Sequence, residues 1–366
     1  MIGAGDTPCR PRPRPSGWWI ARHLHVGVLD RLLDEDDTRL HAVSGTSAGA
    51  VNAAALACGL AEGGRPGAQR RLSQVWRAVG RAGTWMSSAG QALWAGTPLE
   101  SWAQLVDEWR RLWLGPFASA SDRMMRSWGA AVTSAVSPYE SNPWDVHPLR
   151  RILEREIDFD AVRACRDLDV YVSATAVRSG RLRVFDTSEL SVDAVLASAC
   201  LPTLFQAVAI DGEEYWDGGY AGNPSLLPLV DHSGARDLLI VQINPISRAE
   251  SPRAAGDILD RMNEVTFNSS LLRELRMLGL LQIVAPDAAD ACAIHPFLAR
   301  IRDLRAHRID AGDDLAALGS STKTDASTSL ILTLHDIGWR RTDEWLAAHR
   351  DDLGHRQTLD LASYAV

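Results

Sequence analysis

Long apolar runs are missing from this 366-residue chain, and no stretch approaches the roughly 20 residues that a membrane-spanning helix needs. The N-terminus has no apolar core of the secretory kind, so export by that route is not expected. Cysteine is sparse: Cys9, Cys58, Cys165, Cys200 and Cys292 are scattered, with no CxxC pair and no histidine at metal-ligand spacing. That excludes a disulfide framework and predicts reduced, mostly buried thiols in the cytoplasm. A long basic stripe is missing too. With a net charge of −8, a general nucleic-acid binder is excluded. Nothing in the sequence implies a metal or an organic cofactor, and there is no internal repeat.

The chain does have length enough to bury a core, and patterns that alternate between helix and strand. "GVLDRLL", from Gly27, has helical spacing and ends in the acid cluster Asp34 to Asp37. A short apolar strand, Leu40 to Val43, leads into a small-residue helix over about 48–60. "LDVYVSATAVRSGRLRVF" predicts two β-runs joined at Ser179–Gly180, and "DLLIVQINPI" a strand buried on both faces. Strands separated by helices predict an α/β sheet, mostly parallel, with helices packed on it. Thirteen tryptophans are unusual. Trp76, Trp85, Trp94, Trp102, Trp109, Trp113, Trp128 and Trp144 fall in a helical stretch over about 70–160. They suit either ordinary helix packing or an apolar, lipid-facing cap.

Chemistry enters at "GTSAG", Gly45 to Gly49: Gly45, Thr46, Ser47, Ala48, Gly49. A strand precedes this G-x-S-x-G and a helix follows, the context in which the pattern presents a nucleophile on a tight turn. Ser47 then lies at a helix N-terminus, where free N–H groups favour negative charge. The same small residues would also pack an ordinary strand–helix turn. Serine needs a base, and no histidine stands in a distinctive context. What stands out instead is "YWDGGYAGNPSLLPL", where Asp217 precedes Gly218 and Gly219. This suits a carboxylate on a tight turn at a strand end, and equally a plain Asp-Gly turn.

Taken together, G-x-S-x-G near the N-terminus and D-G-G some way downstream resemble the patatin-like phospholipases. The whole run "ASACLPTLFQAVAIDGEEYWDGGYAGNPSLLPL" is similar to that family's approach to its aspartate. The resemblance covers roughly Gly27 to Ala285. It implies a three-layer α/β fold, with a mostly parallel sheet and helices on both faces. On it Ser47 is the nucleophile and Asp217 the base of a Ser-Asp dyad acting through an acyl-enzyme on phospholipid or related acyl esters. It implies no cofactor, no nucleic acid, and peripheral contact with a membrane. The expected division is an atypical leader over 1–26, an acyl hydrolase domain over 27–310 carrying the 70–160 helical insertion, and a helical C-terminal extension over 311–366.

One family element is missing. Oxyanion donors come from a glycine-rich loop that should stand just before Gly27, where this chain has Trp18 to Val26. Bulky side chains cannot form such an open backbone nest. Tryptophan has one codon, so Trp18–Trp19 followed by Ile20 encodes Gly-Gly when read one base later. Permitted codons for Arg12 to Val26, with the first base of Gly27, read in that frame as "VLALQGGGSHGTYTW": an apolar strand, then glycines. The hypothesis is a single-base deletion near the Val26–Gly27 codons, with translation starting out of frame. A gene sequence whose shifted frame upstream of Gly27 spells no glycine-rich loop would sink it. The consequence is a hydrolase with impaired activity. The alternatives are a lipid-binding or regulatory pseudoenzyme, and an α/β-hydrolase with a Ser-His-Asp triad using His232, His295 or His335. Against the triad, Ser47 comes before enough strands have been laid down.

Overall fold

The computed structural model describes residues 17–88, 137–202, 205–232, 235–248, 250–253, 255–284, 296–310, 314 and 328–365. The expectations for Trp94, Trp102, Trp109, Trp113, Trp128 and His295 lie outside these residues, as do those for Cys9 and Cys292.

The first element is helix α1, Gly17–Leu33. It begins well before "GVLDRLL", because residues 18–26 contain no glycine or proline to stop a helix. Strand β1, Ala42–Gly45, follows, then α2, Ala48–Ser88, which bends at Gly63 and Gly64 ahead of Pro66. Gly64 sits at φ +59°, ψ −151°, a region open essentially to glycine alone. Short helices α3, Pro138–Ser141, α4, Pro148–Glu156, and α5, Phe159–Ala164, lead to β2, Asp169–Ala176. Next come β3, Leu182–Phe185, α6, Val192–Ser198, β4, Val208–Ile210, and β5, Glu213–Asp217. The chain continues through α7, Leu227–His232, β6, Asp237–Gln242, α8, Ala255–Val284, and α9, Pro296–Arg302. Strand β7, Arg305–Asp310, and helix α10, Thr328–His349, complete it.

The α/β expectation holds, with a central sheet flanked by helices. Its strands pair in the order β1-β2-β5-β4, with β3 on the other edge of β2; β6 and β7 form a second, two-stranded sheet. Pairing is mixed: β1–β2 and β6–β7 are parallel, whereas β2–β3, β2–β5 and β4–β5 are antiparallel. The predicted turn at Ser179–Gly180 joins β2 to β3, with Gly180 at φ +66°.

Small side chains let α2 lie deep. Ala50, Val51 and Ala53 through Cys58 are all buried in the main core with β2 and α6, as expected of a helix apolar on every side. Strand β6 divides two further cores. Leu238 and Ile240 belong to one with α8 and β7, while Leu239 and Val241 pack against the other, between α1 and α10. The C-terminal helix therefore packs directly on α1. Ion pairs Arg31–Asp343 (2.8 Å) and His335–Asp30 (2.7 Å) tie the two together. Within the acid cluster that follows α1, Glu35 alone is buried, and it pairs with Arg31 and Arg350; Asp34, Asp36 and Asp37 are exposed.

Candidate active site

Sheet topology brings the two sequence-predicted residues to one place. On a single edge of β2, Gly45 of β1 pairs with Val172, and Asp217 of β5 pairs with Ala174. β1 runs parallel to β2 and β5 antiparallel, so their C-terminal ends meet head-on with only Ser173 between their partners. A Cβ on Gly218 would stand 2.1 Å from the Ser173 carbonyl oxygen and 2.9 Å from Thr46 Cγ2. Any side chain there would push the two ends apart. Ser47 and Asp217 both line one cavity of about 340 Å³.

Ser47 has φ 56°, a left-handed backbone that a non-glycine residue adopts at some cost. This is the sharp strand-to-helix turn that lifts a serine clear of the sheet. Three contacts hold it. The Ser47 N–H donates to Ser198 Oγ (2.9 Å), Thr46 Oγ1 donates to the Gly222 carbonyl (3.0 Å), and the Gly49 N–H to the Thr46 carbonyl (2.8 Å). Gly45 is required by close approach, since its Cβ would lie 2.2 Å from the Gly49 carbonyl oxygen. Gly49 differs, because a Cβ there would meet nothing within 4 Å. The Ala48 N–H, at the first position of α2, donates to no group among the described residues.

Asp217 is fully buried. Its Oδ1 accepts the Gly219 N–H (2.8 Å), its backbone N–H donates to the Cys200 carbonyl (2.7 Å), and its carbonyl accepts from Thr175 Oγ1 (2.9 Å). Gly219 has no room for a side chain: its Cβ would fall 2.2 Å from the Phe267 ring. Burial, and after it the Asp217 charge, push the Cys200 thiol up to about 12; the same two causes raise Tyr220. The Asn223–Pro224 pair lines the cavity, with the Asn223 N–H bonded to Ser270 Oγ (3.0 Å).

Among the described residues, only His25 and His41 line that cavity as histidines. His41 precedes β1, at the end of the strand away from Ser47. His335 is engaged with Asp30, and His307 lies between Asp237 and Thr358. The His232 side chain lies outside the described residues. Trp76 is a core residue whose indole N–H donates to Asn52 Oδ1 (2.6 Å), behind the cavity wall; Trp144 is largely exposed.

Ser198 was not singled out by the sequence, and Ala48 was named only as a small residue of the motif, not for its N–H. Ser198 lies in the "ASAC" run, but nothing local marks its partner at the other end of the fold. His147 is also unanticipated. It stacks on Phe205 (ring centroids 4.0 Å apart), and neither ring nitrogen has a hydrogen-bond partner among the described residues. Burial, and then the Arg150 charge, push its pKa down from 6.5 to about 3. The unfolded chain therefore binds a proton below pH 6.5 that the folded chain refuses until about pH 3. This contribution leaves stability intact above pH 6.5 and erodes it through that window, by up to about 1.4 kcal/mol per pH unit. His147→Leu is expected to keep roughly 2 kcal/mol more of its neutral-pH stability than the parent at pH 4.5. Urea melts of both chains at pH 7 and 4.5 check this, and equal losses would refute it.

A family model described as patatin-like phospholipase matches residues 23–230, more than half of the chain. No curated protein matches. Among the described residues, no helix is long and apolar enough to cross a membrane. With the matched span holding both Ser47 and Asp217, the chain belongs to the patatin-like phospholipase family, a family of lipid acyl hydrolases.

Proposed function

We propose that Ser47 and Asp217 form a catalytic dyad for acyl-ester hydrolysis, and that this chain carries it in impaired form. The observation behind the reading is the head-on meeting of β1 and β5, which delivers a strained serine and a buried carboxylate to one cavity. Asp217 takes the Ser47 Oγ proton as the oxygen attacks an ester carbonyl, then returns it to the departing alcohol. Water, deprotonated by the same carboxylate, releases the acid from the acyl-serine. The negative oxygen formed in each step needs N–H donors. The Ala48 N–H is one, in the position that follows the nucleophile. The donors expected before Gly27 have no counterpart among the described residues, because the segment from Gly17 is α1.

A lipid surface as the source of substrate is supported by α8. Ile258, Met262 and Val265, spaced as one helical face, are exposed at 41%, 60% and 52%. The same helix continues into Phe267 and Asn268 of the cavity wall.

Fluorophosphonate labelling, which reads the nucleophile without turnover, tests the dyad in a chain given the glycine-rich loop. Ser47→Ala is expected to abolish labelling, and Asp217→Asn to slow it on the order of 10³-fold. His41→Ala and His335→Ala are expected to leave it within a few-fold; loss in either points to a histidine base instead. The helix standing in place of the loop favours one second reading, a lipid-binding pseudoenzyme. Failure of the loop-restored chain to label at all would favour it.

A further inference from the structure

β1 and β6 are each paired on one edge alone among the described residues, β1 with β2 and β6 with β7. Their other edges line the cavity that holds Ser47, and they do so with consecutive residues, Ala42 to Gly45 and Asp237 to Ile243. A strand that presents a face to a cavity lines it with every second residue; consecutive lining means an edge. Hydrogen bonding agrees. The His41 carbonyl accepts the Asp169 N–H, and the Arg236 carbonyl accepts the Arg305 N–H. Backbone groups alternate in direction along a strand. Ala42 and Ser44 of β1, and Leu239 and Val241 of β6, therefore turn their N–H and C=O groups into the gap. Such groups in an apolar cleft are costly to leave without partners.

The two strands also run the same way. Asn268 donates to the Pro245 carbonyl (3.1 Å), just beyond the end of β6. Its neighbour Phe267 sits against Gly219, beside Asp217 and hence beside the end of β1.

We infer that the gap between β1 and β6 is an acceptor site for one added β-strand: an extended, apolar, proline-free peptide that bridges the two sheets in parallel with both. In that direction its C-terminal end emerges at Ser47. The residues directly before and within α1 do not have the chemistry. Residues 10–15 alternate arginine with proline, and a strand paired on both edges cannot spare the N–H that proline lacks. Residues 17–26 belong to α1. The shifted-frame sequence VLALQGGGSHG does have it: four apolar residues, no proline, and glycines where the strand would end. The inference does not rest on the hydrolase reading.

The test adds acetylated VLALQGGGSHG peptide to the full chain and follows amide hydrogen exchange residue by residue. Exchange at Ala42, Ser44, Leu239 and Val241 is expected to slow by about tenfold or more at saturating peptide. Val43 and Ile240, whose amides already face β2 and β7, are expected to change far less. A peptide of the same sequence, N-methylated on both leucines, is expected to give no slowing. Unchanged exchange with the parent peptide, or equal slowing with the N-methylated one, overturns the inference. Fluorophosphonate labelling of Ser47 in the same samples bears on the hydrolase reading alone: slowed exchange without labelling supports the acceptor site and counts against the dyad.

Discussion

A chain in which VLALQGGGSHGTYTW replaces residues 12–26 is expected to hydrolyse a p-nitrophenyl ester at least 10²–10³ times faster than the chain as written. The estimate follows from what the site keeps and what it lacks. Ser47 sits on its turn, anchored through Ser198, and Asp217 is fixed by three hydrogen bonds. One N–H, that of Ala48, remains available at the start of α2. An acyl-transfer transition state loses on the order of 10²–10³ in rate for each oxyanion donor removed. The helix over Gly17–Leu33 commits its backbone amides to its own turns, beyond the first few at its start. It therefore offers no nest of donors near Gly27. The gain is expected mainly in kcat, because the missing contact is made to the transition state and not to the bound ester. Turnover of both chains, each corrected with its Ser47→Ala variant, decides the matter. Equal corrected rates would mean that the segment before Gly27 plays no part in the reaction.

Much of this site was readable without coordinates, because its two halves are written as short local patterns. G-x-S-x-G and D-G-G each encode a tight turn, and the glycines carry the reason: Gly45, Gly218 and Gly219 all lie where a Cβ would strike a neighbour. Gly49 is the exception, with open space around it, so the motif alone could not say which glycines are steric. The strands were legible where apolar runs are long, as at β2 and β6. Other features were not, because they join distant parts of the chain. Nothing in "ASAC" announces that Ser198 will hold the Ser47 amide. Nothing in "GVLDRLL" fixes where its helix begins, since helix propagation through Trp18 to Val26 depends on the absence of a stop signal. The gap between β1 and β6 was invisible for a related reason. It is defined by a strand that none of the described residues supplies.

Gly338→Val is expected to destabilise the fold by roughly 3 kcal/mol or more, enough to unfold a marginal domain. Helices α1 and α10 cross with backbone against backbone. A Cβ on Gly338 would stand 2.1 Å from the Leu24 carbonyl oxygen, and one on Gly27 would stand 2.0 Å from that of His335. Neither oxygen can rotate away, as a flexible side chain would. The helices would have to separate, opening the core of Leu24, Val28, Leu32, Leu334 and Ile337. Arg31–Asp343 and His335–Asp30 span the same contact and would be strained with it. Helix propensity works in the opposite direction: glycine in a helix interior costs about 1 kcal/mol relative to alanine. Gly338→Ala therefore separates the two effects. A crossing that truly needs glycine makes alanine destabilising too, despite its better propensity, whereas Gly49→Ala, with open space at its Cβ, should be neutral or stabilising by up to about 1 kcal/mol. Urea midpoints of the three variants against the parent measure this. A Gly338→Ala chain as stable as the parent would show that the two helices are free to move apart, and that α10 is not locked to α1.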